Sequence, residues 1–288
     1  MSILGNLELS EPVFLRNLRI HPIQSPATDG IKISAISEIL QQQSGSFREL
    51  DPPDINRIAF DNEGNHPVLM LDGEEIVGAM QNRIIADSIL VKAQSTTDIP
   101  VICAEEGRWN AIGEFRTGYC SYPSIRAILS RRGKRENTLQ KRVWKEIERK
   151  LTATKTLSTT SSMHDIYNNL EDEVTRYVEG FESLNHDTIG FIGVTGNKIL
   201  GCDLFLDHAT YRKFEERLIR SYALDAIEHR KSSSGEVDAT GFLENIKHSF
   251  NKKKTSDKQH HFSLKEKRYS GQGFIHDGRI IHLSVFPK

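Results

Sequence analysis

The chain has 288 residues and 37% hydrophobic side chains, enough for a true core in one large domain or two closely packed ones. Lys and Arg total 38 against 39 Asp and Glu, for a formal net charge of -1, so no global charge draws it to nucleic acid or to a membrane surface. No apolar run approaches the ~20 residues of a membrane-spanning helix. The opening MSILGNLELSEP lacks the cationic and apolar regions of a secretory signal. Cys103, Cys120 and Cys202 are odd in number and widely spaced, which fits reduced thiols and not a disulfide framework or a paired-Cys zinc site. The expected location is cytoplasmic.

Residues 13–23 alternate as a strand, with Leu18 and Ile20 on one face and Asn17, Arg19 and His21 on the other. Ile33, Ile36 and Leu40 fit a short helix. Strand-like runs follow at 56–60, 68–71, 75–85, 88–92 and 99–104, joined by short connectors rich in Gly, Asp, Asn and Ser. No intervening helix is long enough for a parallel crossover, so the sheet is predicted antiparallel. Leu139, Val143, Ile147 and Leu151 form a helical stripe. A longer one runs through Met163, Ile166, Leu170, Val174, Tyr177, Phe181 and Leu184, with Ser162 and Asp165 placed to cap it. A hairpin is predicted over 188–205 around Gly196-Asn197. Asp207 then caps a helix with the stripe Tyr211, Phe214, Leu218 and Tyr222, and a short helix covers 242–250. Residues 251–268 are polar and lysine-rich and read as a loop. Asp277-Gly278 turns a closing hairpin over 273–286.

The densest chemistry lies between Val68 and Trp109. Gly73-Glu74-Glu75 and Gln81-Asn82-Arg83 form one polar cluster, and Cys103-Ala104-Glu105-Glu106-Gly107-Arg108-Trp109 forms another. Polar groups crowded into strand-like text need a reason beyond packing. Adjacent Glu74 and Glu75 point to opposite faces of a strand, so one of them is expected as a solvated carboxylate. A carboxylate beside Arg83 or Arg108 would be oriented by an ion pair. Gln81 and Arg83 share a strand face, and amide plus guanidinium can read a carboxylate, phosphate or amide by directional hydrogen bonds. Cys103 sits in apolar Ile99-Pro100-Val101-Ile102 with no His nearby in sequence, so it reads as a small hydrophobe and not a nucleophile. Trp109 either stacks on a planar ligand or covers the core, the core being the expectation.

Other signals carry less. Gly190, Gly193 and Gly196 are spaced like a phosphate loop, but a strand follows them where a helix is required. Residues 131–150 hold nine Lys and Arg against three Glu, and 251–268 hold seven against two acids; both fit a solvated surface or a phosphate-contacting patch. His260-His261 lack companion ligands, so no metal site is expected. His276 and His282 flank the last turn, and sequence does not place them.

The two polar clusters carry a family resemblance. Leu71 to Ala79, Gln81 to Arg83 and Pro100 to Trp109, with weaker matches at 190–205, 218–226 and 282–286, resemble the ARG-and-Rhodanese-Phosphatase-superfamily-associated protein family, whose activity is uncharacterised. The resemblance covers most of the chain from about Val13, with the lysine-rich 251–268 segment looking like an insertion. It implies association with ADP-ribosylglycohydrolases or rhodanese-phosphatases, hence a place near ADP-ribose or NAD metabolism. It supplies no catalytic residues and no cofactor.

The expectation is an α+β chain, with an antiparallel β-sandwich or partial barrel over 1–125 bearing the polar motifs and a helical and hairpin region over 126–288 packed on it. The expected function is a ligand-binding or regulatory module for a nucleotide-like small molecule, using Glu75, Gln81, Arg83, Glu105, Arg108 and Trp109. One alternative is a hydrolase-like enzyme with Glu74, Glu75 or Glu106 as general base, metal-assisted or not. Another is a nucleic-acid-associated factor using the basic segments.

Overall fold

The computed structural model describes residues 4, 6–26, 30–131, 136–230, 235–251 and 260–288. The chain forms two compact units, one of Lys32–Asp172 and one of Met1–Ile31 with Glu173–Lys288. Their limits do not coincide with the expected boundary at residue 125. The second limit falls inside a helix, Met163–Val178.

The first segment supplies β1 (Glu8–Leu9), β2 (Val13–Leu15) and β3 (Leu18–Gln24). The single strand expected over 13–23 is a tight hairpin, turned at Arg16 with φ 58°. Leu18 and Ile20 are buried as the alternation requires.

The Lys32–Asp172 unit contains β4 (Ser34–Ala35), α1 (Ile36–Gln41), β5 (Gly45–Arg48), β6 (Arg57–Asn62), β7 (Val68–Met70), β8 (Glu74–Ala79), β9 (Arg83–Ile85), β10 (Ile89–Val91), β11 (Ser95–Cys103) and β12 (Ile112–Cys120). Six of these form an antiparallel sheet in the order β12-β8-β9-β11-β6-β5. Its edge strands β12 and β5 approach each other, so the sheet is a nearly closed barrel. A smaller sheet, β10-β7-β4, includes the parallel pair β4–β7. Ile58, Phe60, Ile76, Ile85, Ile99 and Val101 pack with Ile36 and Ile39 of α1 in one apolar core. The run expected over 75–85 is in fact two strands, β8 and β9, reversed through Met80–Asn82. Next come α2 (Pro123–Ser130), α3 (Glu136–Thr154) and α4 (Met163–Val178). Leu139, Val143, Ile147 and Leu151 are all buried, as are Met163, Ile166, Leu170, Val174 and Tyr177. Helix α4 stops at Val178, short of Phe181 and Leu184. Gly180 follows it at φ 75°, a conformation glycine adopts without steric cost.

The last segment begins with the hairpin β13 (Thr188–Thr195) and β14 (Lys198–Phe205). Asp207 caps α5 (His208–Arg212), accepting from the Thr210 N–H at 2.7 Å. The one helix expected from Asp207 is two, because α6 starts afresh at Glu215–Glu228. After α7 (Ala239–Asn251) come β15 (His260–Lys265), β16 (Tyr269–His276) and β17 (Arg279–Pro287). Of the loop expected over 251–268, residues 252–259 lie outside the described residues, while 260–265 pair with β16 as a strand. The eight-stranded sheet runs β1-β3-β13-β14-β17-β16-β15, with β2 on β3. Leu243, Ile246 and Phe250 of α7 pack on Ile192, Leu204, Leu283 and Val285. The result is an α+β protein with antiparallel sheet cores. Among the described residues no helix is long and apolar enough to cross a membrane.

Candidate functional site

The two polar clusters meet in the Lys32–Asp172 unit. Cys103 of β11 pairs with Arg83 of β9, which brings the ends of both strands side by side. Beyond them, Glu105 and Arg108 tie the loops together. Glu105 Oε1 accepts from the Asn82 N–H at 2.7 Å and from Arg108 Nε at 2.8 Å, and its Oε2 accepts from Thr160 Oγ1 at 3.0 Å. The Arg108 guanidinium also donates to the carbonyls of Ala79 at 2.6 Å and Asn110 at 2.9 Å and to Asn82 Oδ1 at 3.0 Å. Gln81 donates to the Glu105 carbonyl at 2.5 Å. Glu105 and Arg108 are both buried, so this charge pair is compensated inside the protein and its donors are already committed.

Arg83 differs. Its side chain is fully buried. Nη1 donates to Gln81 Oε1 at 2.9 Å and lies 3.8 Å from Cys103 Sγ. Nε and Nη2, the remaining edge of the guanidinium, have no hydrogen-bond partner. The nearest carboxylate is Glu49, whose Oε1 is 3.9 Å from Nη2 and accepts from the Met80 N–H at 3.3 Å. Glu49 Oε2 is buried and also without a partner. The Trp109 ring covers Arg83, its centroid 5.2 Å from the guanidinium carbon. Contrary to the expectation of a core position, Trp109 is 47% exposed; it follows the loop past Glu105 and lies over the Arg83 guanidinium.

Cys103 is buried, and burial pushes its thiol up to about 11 despite the opposing charge of Arg83. A thiol protonated at neutral pH is no nucleophile. The Gln140 side chain bonds both the N–H and the carbonyl of Cys103, at 2.9 and 3.0 Å, in place of a strand neighbour.

Glu75 lies elsewhere in the same unit. The expectation that Glu74 or Glu75 is solvated fails, since both are buried. They do point to opposite faces, but both faces are covered. Glu74 folds back to accept from the Leu71 N–H at 2.8 Å. Glu75 Oε2 accepts from the Tyr119 N–H at 3.2 Å and meets His164 Nδ1 of α4 at 2.8 Å, while Oε1 is buried without a partner. Gly118 makes room for it, because a Cβ there would stand 2.3 Å from Glu75 Oε2. His164 is 21% exposed and packs against the Tyr119 ring. Burial alone would lower the imidazole, but the hydrogen bond and charge of Glu75 outweigh it and the pKa is raised. Sequence reading missed His164 and Glu49. Each lies far along the chain from its partner, and neither stands in a recognisable motif.

Between the barrel edges β5 and β12 lies a cleft of about 880 Å³, lined in part by Phe47, Arg48, Glu49, Ala79, Phe115 and Arg116. Glu49 therefore faces the cleft and Arg83 together. Glu106 is exposed and joins none of these contacts. Of the basic segment 131–150, residues 132–135 lie outside the described residues. Lys150 is buried with its Nζ 4.4 Å from the Tyr122 ring centroid, out of reach of a phosphate backbone. His282 is buried against Asp203 at 3.1 Å in the other unit. Among the described residues, no group of three or more His, Cys, Asp or Glu is arranged to hold a metal.

The family described as ARG and Rhodanese-Phosphatase-superfamily-associated Protein domain matches residues 6–286. No curated protein and no solved structure matches the chain.

Proposed function

The chain belongs to the ARG and Rhodanese-Phosphatase-superfamily-associated Protein domain family, and from that premise we propose that it is a ligand-binding or regulatory module whose recognition centre is Arg83 beneath Trp109. The observation that carries this reading is the Nε/Nη2 edge of a fully buried guanidinium, which makes no hydrogen bond and stands 3.9 Å from its ion-pair partner Glu49. Leaving a buried charged donor unsatisfied is costly, so such a group is kept where a partner arrives from outside. The family description names association with ARG and rhodanese-phosphatase superfamily proteins; the ligands proposed for trial are those of ADP-ribose and NAD metabolism, which combine planar rings with polar edges. Glu105, Arg108 and Gln81 build the frame around Arg83; their own donors and acceptors are occupied.

The test is a thermal-shift screen of ADP-ribose, NAD and nucleotides, with and without Mg²⁺. A ligand at ~100 times its dissociation constant stabilises the native state by ~2.7 kcal/mol. The shift should vanish in Arg83→Ala and shrink in Trp109→Ala, whose exposed side chain can be removed without threatening the fold. A shift that persists in both variants would place binding elsewhere.

A second reading rests on Glu75 and His164. A buried carboxylate holding imidazole Nδ1 leaves Nε2 as a base, the arrangement used in general-base hydrolysis. In this reading a hydrolase-like turnover rises with pH as His164 loses its proton. Glu75→Gln removes the charge that raises the His164 pKa, so the rising limb should move to lower pH. A limb that stays in place would separate His164 from any turnover found.

A further inference from the structure

Arg83 and Glu49 present complementary unfilled groups side by side. Nε and Nη2 of Arg83 are donors without acceptors, and Oε2 of Glu49 is an acceptor without a donor. They lie near each other, since Glu49 Oε1 is 3.9 Å from Arg83 Nη2, too far for a hydrogen bond. A simple anion would satisfy the guanidinium but would sit beside the Glu49 carboxylate, where like charges repel. A group that accepts on one side and donates on the other satisfies both residues at once.

We infer that this site takes a planar ligand with a carbonyl next to an N–H: a lactam, imide or primary carboxamide edge, as in an oxo-nucleobase or a nicotinamide ring. The carbonyl accepts from Arg83, and the N–H donates to Glu49. The Trp109 ring, its centroid 5.2 Å from the guanidinium carbon, offers an aromatic face beside a ring bonded to Arg83. Glu49 is the member of the pair that lines the cleft between β5 and β12. The inference rests on the binding reading above and narrows its ligand class.

The experiment titrates the full-length protein with uridine, 3-methyluridine, nicotinamide, benzoate and inorganic phosphate, using calorimetry and thermal shift. Uridine and nicotinamide should bind. 3-Methyluridine keeps its carbonyls but lacks the ring N–H, and should bind about tenfold or more weakly, the worth of one hydrogen bond to a charged group. Glu49→Ala should weaken uridine by a similar factor. If benzoate or phosphate binds in preference, and Glu49→Ala strengthens that binding, the site takes anions; the lactam assignment is then wrong while Arg83 recognition stands. If no probe binds, or binding is unchanged in Trp109→Ala and Arg83→Lys, both the assignment and the binding reading fall. Glu49 is 17% exposed and on the cleft wall; Glu49→Gln, which keeps the side chain's size and an acceptor, reports on recognition where Glu49→Ala or an Arg83 variant does not fold.

Discussion

Glu105 accepts from the Asn82 N–H, Arg108 and Thr160, while its carbonyl accepts from Gln81. Truncating it strands the buried Arg108 charge, so Glu105→Ala should cost ~3–5 kcal/mol in chemical denaturation. Cys103→Ala loses packing and the weak thiol contacts to Arg83 Nη1 and the Ile55 carbonyl, and should cost about 1 kcal/mol. Equal and small losses would mean the Glu105 network is not structural. A pH effect belongs to His164. Its folded pKa is raised, so its contribution is fully present below the ordinary imidazole value of ~6.5 and is lost as pH rises through the raised folded value. Burial opposes the shift most, Glu75 outweighs it through its hydrogen bond and charge, Arg116 opposes it and Asp165 adds to it. The stability difference between wild type and His164→Gln should therefore narrow as pH rises across that window. A difference that is flat with pH would contradict the ion pair. At this scale the sequence was informative where polar residues bunch within short loops, as in Gln81–Arg83 and Glu105–Arg108. It was silent on Glu49 and His164, whose partners arrive only through the fold.

Strand β12 shows why some elements escaped sequence reading. Its text, IGEFRTGYC, mixes two glycines and two charges, and its first three residues are exposed. What makes it a strand is its pairing with β8, including irregular register near Thr117 and Cys120. Gly118 and Gly78 permit that close approach. At Gly78 φ is 119°, and a Cβ would meet the Glu114 carbonyl at 2.3 Å. Gly118→Ala would push on Glu75 Oε2 and on Val77 Cγ2, 2.6 Å from the added carbon. It should destabilise the protein by ~1–3 kcal/mol, the usual range for overpacking. It should also weaken the His164-dependent pH effect, by displacing the carboxylate. A wild-type melt would mean β12 yields more freely than its contacts indicate. Helices α3 and α4 were legible because stripes of period 3.6 bury one face whatever surrounds them.

At the scale of the whole molecule, the α+β class and antiparallel pairing followed from short connectors and alternating strands. The discontinuous unit did not, because pairings such as Ile20 with Gly193 join distant parts of the chain and leave no local mark. In the other unit one buried cation keeps an edge without hydrogen bonds under a half-exposed indole. The chain has two tryptophans, and Trp144 lies on α3. In a Trp144→Phe background the emission of Trp109 alone can be followed while ADP-ribose, NAD, uridine and nicotinamide are titrated. A saturable change in Trp109 emission is expected for at least one of them, abolished by Arg83→Lys. Emission that stays constant while the same ligand raises the melting temperature would contradict recognition at Arg83.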